Sequence, residues 1–259
     1  MATTTTTTTT TFGVFLVGFG GPNVEVKMGI LEHNLGVLKK IKEHIKNAVV
    51  DLYIYCYSPL ETRARLGQVA FGDYDVRNVR IVEQPGIVGE FIYIHVSKEY
   101  QQYDYAILLL DDICLPDTLD MARMLNVYKN EKLDILALPL TPDSPYNYRF
   151  MLQVPDLARL NYTYRQTNFV ELFFYLIAAE NMPKYLQFFT KDTKWCWGID
   201  LALYNYGLKM GLMECFPVKH FFKGVSYSTK LPDPLHELNV VTAHLRKIKR
   251  KINLKREKY

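Results

Sequence analysis

Six consecutive residues, Tyr105 to Leu110 (YAILLL), offer no polar face and stop abruptly at two carboxylates, Asp111 and Asp112. A strand apolar on both sides belongs in the middle of a sheet covered on both faces, which commits the chain to an α/β architecture. In an open parallel sheet, ligands bind in the crevice just outside the carboxyl ends of the strands, and that is where these acids fall. Adjacent carboxylates repel unless a cation sits between them or one stays neutral. The competing reading is local: the acids turn the chain, and Asp117 caps a helix expected over 118–129.

Upstream, 12–17 reads as a first strand, followed by the turn Gly18-Phe19-Gly20-Gly21-Pro22-Asn23. This is a partial GxGxxG fingerprint with Asn23 in place of the third glycine, and its glycines let backbone approach a base or ribose closely. Leu31, Leu35, Leu38, Ile41 and Ile45 recur at helical steps, so 25–47 is expected to be one amphipathic helix with its lysines on the wet face. Strands are expected over 49–57 and 77–83, and a helix over 88–100. Tyr57 and Ser58 at the end of the second strand, and Gln84 in the turn after the third, are candidates to flank a nucleotide; ordinary sheet packing competes for Tyr57.

The order β-α-β-β-α, then the central strand and another at 133–140, implies a mixed, mostly parallel sheet flanked by helices, Rossmann-like and in one domain spanning 12–243. A low-complexity threonine leader (1–11) precedes it and a basic tail (244–259) follows. Between 141 and 169, Pro, Asp, Asn and Tyr mix with short apolar pieces, a texture that suits sugar recognition or plain irregular structure. The apolar run ELFFYLIAA begins at Glu171, and a short helix is expected over 181–189.

Charge excludes one class of partner. The net charge is +4, but the last sixteen residues carry eight Lys and Arg against one Glu, which leaves 1–243 at −3. A globally basic nucleic-acid-binding face is therefore not expected, although the tail's Leu245, Ile248 and Ile252 at helical spacing could rest on an anionic membrane surface. No apolar stretch of about 18 residues and no basic-then-apolar opening occurs, so the expectation is a cytoplasmic protein without a membrane span. The four cysteines are widely separated and expected to be reduced, and Asn161-Tyr162-Thr163 is expected to be a coincidental glycosylation triplet.

A second constellation is Lys194-Trp195-Cys196-Trp197-Gly198-Ile199-Asp200, ahead of a helix expected over 201–209. Asp200 is either that helix's N-cap or a general base kept partly desolvated beside tryptophan. A strand expected over 211–218 then delivers His220 and, three residues on, Lys223. A lone histidine is more often structural than a ligand.

Taken together, acids after a central strand, a later WGxD at a helix start, and a strand ending in His with a nearby Lys resemble a GT-A-fold nucleotide-sugar glycosyltransferase. The family's DDDI pattern falls on Leu110-Asp111-Asp112-Ile113, with Leu110 departing from it. The resemblance implies Asp112 and His220 as ligands of Mn²⁺ or Mg²⁺, Asp111 as a ribose or sugar contact, Lys223 on phosphate, and Asp200 as base in an inverting transfer. Gly18, Phe19, Gly20, Tyr57, Ser58, Gln84, Trp197 and Gly198 would line the nucleotide-sugar site. The implied donor is a UDP-sugar, xylose or another, and the acceptor a glycan or glycoprotein. More narrowly, the compact length and the LDDI variant resemble the soluble capsid-glycan transferases of large algal (chlorella) viruses, which would place the protein in the host cytoplasm.

Two other classes use the same elements. A sugar-phosphate nucleotidyltransferase also holds a metal on paired acids after a strand, but its glycine-rich start carries a basic residue that the 18–22 turn lacks. A non-catalytic nucleotide- or glycan-binding protein of this fold is the other, favoured by Leu110.

Overall fold

The computed structural model describes residues 9–57, 60–83, 87–159, 163–222, 237–244 and 246–247. Ten strands are present among them: β1 (Thr10–Phe19), β2 (Ala48–Cys56), β3 (Asn78–Glu83), β4 (Tyr105–Leu110), β5 (Ile113–Cys114), β6 (Ile135–Ala137), β7 (Arg165–Thr167), β8 (Phe174–Ala178), β9 (Met210–Leu212) and β10 (Lys219–His220). Eight form the main sheet in the order β3-β2-β1-β4-β8-β6-β9-β7, and β5 pairs with β10 in a small separate ladder.

The organising strand is where its composition puts it. β4 is buried nearly throughout and lies between β1, parallel, and β8, antiparallel. The chain leaves β1 toward β2 and β3 on one side and returns to β4 on the other, so the strand order reverses between β1 and β4. The carboxyl ends of these two strands therefore meet at the switch point, where such sheets bind ligands, with Gly20 just past the end of one and Asp111 just past the end of the other.

Several local expectations are corrected. The helix expected over 25–47 is α1 (Val24–Lys39) followed by a separate turn, Ile41–His44. Its lysines are not all wet: Lys27 is 7% exposed, for a reason that the site supplies. A helix, Leu60–Leu66, stands between β2 and β3 where direct succession of strands was expected. Parallel neighbours need such a crossover, and β2 and β3 are parallel. The helix after the acids is Met121–Asn130, capped by Asp120 accepting from the Arg123 amide at 3.0 Å, and not by Asp117. Thr10 and Thr11 of the threonine run belong to β1, where Asp104 accepts from the Thr11 amide and hydroxyl.

Strand lengths on the far side were overestimated. The apolar 133–140 run contributes only Ile135–Ala137, because an apolar string does not distinguish ladder from buried loop. The 211–218 strand is β9 at Met210–Leu212, and His220 reaches its place on the separate β10. The helical stretch after residue 87 runs from Val88 to Gln102 through a π turn at Ile92–Val96. All four cysteines are free, and no helix among the described residues is long and apolar enough to cross a membrane. The leader residues 1–8, Asn161 and Tyr162 of the glycosylation triplet, and the tail beyond 247 lie outside the described residues.

At the opposite end of the sheet from the acids, buried Asp51 takes Arg77 through two bonds (2.9 and 2.6 Å), Asn78 at 3.1 Å and the Tyr103 hydroxyl at 2.9 Å. Tyr103 also shares a 2.8 Å hydrogen bond with Tyr53, so its ring cannot swing away from β1. A Cβ on Gly13 would lie 2.5 Å from that ring. Gly13→Ala is therefore expected to lower stability by about 1–3 kcal/mol through overpacking, read as a fall in the urea midpoint at unchanged slope.

Candidate active site

The glycine turn is built around Asp111. Gly18, Gly20 and Gly21 all take positive φ (81°, 134° and 74°), which side chains disfavour, and the turn closes when the Gly20 amide donates to Asp111 Oδ2 at 3.0 Å. Lys27, one turn into α1, places Nζ 2.7 Å from the same oxygen and donates to the Gly20 carbonyl at 2.6 Å. This is the cation that two adjacent acids require, and it explains why Lys27 is buried. Burial pushes the Asp111 carboxyl upward, Lys27 opposes that shift, and the charge of Asp112 adds to it.

Asp111 thus does structural work in the turn. Phe19 is corrected as well: its side chain is fully buried in the core, and only its backbone borders the crevice, its carbonyl accepting from the Tyr57 amide at 3.2 Å. Tyr57 itself is exposed and leans over the turn, its hydroxyl 2.6 Å from where a Cβ on Gly21 would stand. Burial of its hydroxyl end, then the charges of Asp111 and Asp112, push its pKa up, which fixes the tyrosine beside both acids.

Asp112 faces the other way. α1 anchors the loop that carries it: Asn34 donates to the Ile113 carbonyl (2.7 Å) and accepts from the Leu115 amide (2.8 Å). Antiparallel pairing sets His220 opposite Ile113, which brings His220 Nε2 to 3.2 Å from Asp112 Oδ2. Pro145 offers only a carbonyl, so His220 Nδ1 must carry a proton and donate to it at 3.1 Å. Phe173 covers the imidazole face at 4.9 Å. Burial pushes the His220 pKa down, but the bond and charge of Asp112, with Pro145 and Glu171, outweigh it and leave it raised. The second oxygen, Asp112 Oδ1, is buried without any hydrogen-bond partner.

A buried carboxylate oxygen with no donor beside an imidazole whose far nitrogen is tied to a carbonyl suits a divalent cation. Oxygen and imidazole donors fit Mn²⁺ or Mg²⁺. Among the described residues, no group of three or more His, Cys, Asp or Glu could hold a metal by itself. Donors beyond this pair would come from a bound diphosphate, from water or from residues outside the described ones.

Asp200 stands in the first turn of helix Ile199–Leu203, whose N-cap is Gly198 at φ 87°, so it is not the N-cap itself. The Tyr175 hydroxyl, on β8, lies 2.8 Å from the Val170 carbonyl and 3.2 Å from Asp200 Oδ1, and its proton is shared between these two acceptors. Burial first, then the charge of Glu171, push the Asp200 carboxyl well above the usual carboxylate range, the Tyr175 bond opposing. Trp197 is exposed beside it.

Glu171 links the two halves. It is 7% exposed, accepts from Asn147 at 3.0 Å through Oε1, and has a buried, unpartnered Oε2. Its charge raises the pKa of both Asp200 and His220. Sequence reasoning missed it because it reads as the polar edge of an apolar run; its signal is an ionisable residue entering a strand buried throughout.

Ion pairing sorts the buried acids. Asp51, Asp111, Asp134 and Glu214 each have a Lys or Arg partner, Arg77, Lys27, Lys184 and Arg165 respectively. Among the described residues, no Lys or Arg pairs with Asp112, Glu171, Asp200 or Glu237. Of the expected site residues, Gly20 bonds Asp111, Tyr57 lies over Gly21 and Asp112 bonds His220, while Asp200 bonds Tyr175 and Gly198 packs against Leu238. Ser58, Gln84 and Lys223 lie outside the described residues.

No protein-family model matches the chain, and no curated protein sequence does. Solved structures of similar fold do. S. aureus TarS 1-349 in complex with UDP-GlcNAc is 8% identical with a TM-score of 0.55, over 92% of this chain and 66% of that one. S. aureus TarS 1-349 is 10% identical with a TM-score of 0.53, over 90% of this chain and 65% of that one. The mannosyltransferase PcManGT from Pyrobaculum calidifontis, in complex with GDP-Man and Mn2+, is 12% identical with a TM-score of 0.56, over 92% of this chain and 70% of that one. The chain thus spans about two thirds of the length of these structures. At such identities the likeness is one of fold.

The Lys27–Asp111 pair yields a test of the crevice. Lys27→Met leaves a buried carboxylate unpaired and is expected to cost about 3–5 kcal/mol, whereas Lys27→Met with Asp111→Asn should recover most of it; a double-mutant cycle in urea measures both.

Proposed function

We propose that the protein transfers a glycosyl group from a nucleoside-diphosphate sugar to a hydroxyl of a glycan or glycoprotein acceptor. What supports this reading is an Asp112–His220 pair at the end of β4 with an unpartnered carboxylate oxygen, together with two further acids, Glu171 and Asp200, with which no Lys or Arg among the described residues pairs. The fold supports it, since proteins of similar fold have been solved with UDP-GlcNAc and with GDP-Man and Mn2+.

In this reading the backbone of Gly18 and Gly20 approaches the nucleotide, and Tyr57, exposed at the crevice, lies along the base. Asp112 and His220 would hold Mn²⁺ or Mg²⁺, which when bound neutralises the charge developing on the diphosphate. Lys223, three residues beyond His220, adds a point charge on phosphate. Asp200 takes the proton from the acceptor hydroxyl as it attacks, with inversion at the anomeric carbon, and burial, which raises its pKa, makes it a stronger base than an exposed carboxylate. Trp197, exposed beside it, offers a ring face to a sugar. The donor proposed is a UDP-sugar such as UDP-xylose, and capsid-glycan synthesis by an algal virus is the setting that the sequence resemblance suggests.

The deciding experiment measures UDP release from a panel of UDP-sugars with and without Mn²⁺; pyrophosphate release from a nucleoside triphosphate and a sugar phosphate would instead mark a nucleotidyltransferase. Asp200→Asn is expected to lower turnover by about a hundredfold or more while leaving UDP affinity in place, and retained turnover would remove Asp200 as base. Glu171→Gln removes a negative charge that raises the Asp200 pKa. The acid limb of the pH–rate profile should therefore move to lower pH, by on the order of one unit, and an unmoved limb would separate Glu171 from the base.

A further inference from the structure

We infer that Glu237 is a positioning residue whose carboxylate clamps the backbone of the tryptophan loop and so aims Asp200. For the role of Asp200 the inference rests on the transferase reading; for the clamp it rests on geometry alone. Glu237 begins the helical residues 237–244 and is 2% exposed. Its Oε1 accepts from the amides of Lys194 and Cys196, each at 2.9 Å, and its Oε2 from the Trp195 amide at 2.7 Å. The Trp197 amide contributes as well. Successive amides converging on one anion form a nest.

The loop needs such a clamp. Cys196, which is not a glycine, sits at φ 67°, a conformation that side chains disfavour, and Gly198 follows at φ 87°, where glycine is at ease. From Cys196, whose carbonyl accepts from the Ile199 amide at 3.2 Å, the five-residue helix carrying Asp200 sets off. A helix that short takes its direction from what precedes it. The 237–244 helix also lies on the loop through Leu238, whose Cδ1 is 2.6 Å from where a Cβ on Gly198 would stand. On the other side, the Gly89 amide donates to the Lys194 carbonyl at 2.6 Å, and Glu90 pairs with Lys194.

Only an ionised carboxylate suits the nest. Its two oxygens offer about four acceptor sites, whereas a glutamine of the same shape offers one oxygen and turns an NH₂ toward amide hydrogens. Among the described residues no Lys or Arg pairs with Glu237, so the backbone amides are what compensate its buried charge. Burial pushes its pKa up, the amide bonds pull it back, and the net is a raised value.

Both tryptophans of the protein, Trp195 and Trp197, lie in the clamped loop, so intrinsic fluorescence reports the clamp without any assay of transfer. Full-length Glu237→Gln is expected to red-shift the emission and to increase acrylamide quenching. It should lower kcat for transfer by about tenfold or more while UDP affinity and donor KM stay within about twofold. Glu237→Asp, which keeps the charge one methylene shorter, should fall between, and it carries the test should the glutamine variant fail to fold. Unchanged emission in both variants would overturn the clamp, and a loss of UDP affinity equal to the loss of kcat would reduce Glu237 to a structural role. A wild-type protein that binds UDP yet transfers no sugar would overturn the transferase reading and the aiming of Asp200 with it, while the fluorescence of the variants still decides whether the clamp exists.

Discussion

The contact on which the crevice depends is the buried ion pair of Lys27 and Asp111, closed by the Gly20 amide and carbonyl. Taking two charges out of water costs several kcal/mol each, and their attraction offsets that only when the remaining donors and acceptors are also satisfied. Here they are: one lysine serves a carboxylate and a carbonyl, and one carboxylate oxygen accepts from an ammonium and an amide. The pair ties the end of β4 to the turn after β1 and to the first helix, so three elements share one corner. With Asp111 compensated inward, its neighbour Asp112 is left to face the crevice.

From that corner the site is assembled by long-range pairing. Asn34 holds the loop after the acids, and the short β5–β10 ladder brings a histidine from late in the chain beside Asp112. The segment around 144–147 then serves both halves: Ser144 accepts from the His220 amide at 3.0 Å, Pro145 orients the imidazole, and Asn147 holds Glu171. Antiparallel β8, next to β4, carries Tyr175 to Asp200. A mixed sheet is what permits this, because the strand reversing beside β4 starts at the same edge where β4 ends.

The buried acids show how stability and chemistry divide. Those that hold elements together each have a lysine or arginine: Asp51 with Arg77 at one end of the sheet, Asp134 with Lys184, and Glu214 with Arg165. Asp112 and Glu171 each keep a buried oxygen without a hydrogen-bond partner, and Asp200 has no Lys or Arg partner among the described residues, a pattern enriched at functional sites. Glu237 is intermediate, satisfied by backbone amides, and its effect is on the conformation of the loop that it grips.

The sequence by itself determined the class of the fold, the central place of Tyr105–Leu110 and the position of the acids at a strand end, because apolar periodicity and the absence of a polar face are local properties. It also marked WGID and His220 as unusual. The resemblance separated Asp111 from Asp112, but the residues by themselves did not show that Asp111 is the one buried against Lys27, since two adjacent carboxylates look alike until something distant neutralises one of them. Lys27 reads as a solvated helix lysine, Glu171 as the border of an apolar run, Phe19 as part of a ligand turn and Glu237 as nothing in particular. Only the tertiary structure decided these, because burial and ion pairing depend on which segments the strand order brings together, and that information lies in the packing of elements far apart in the chain.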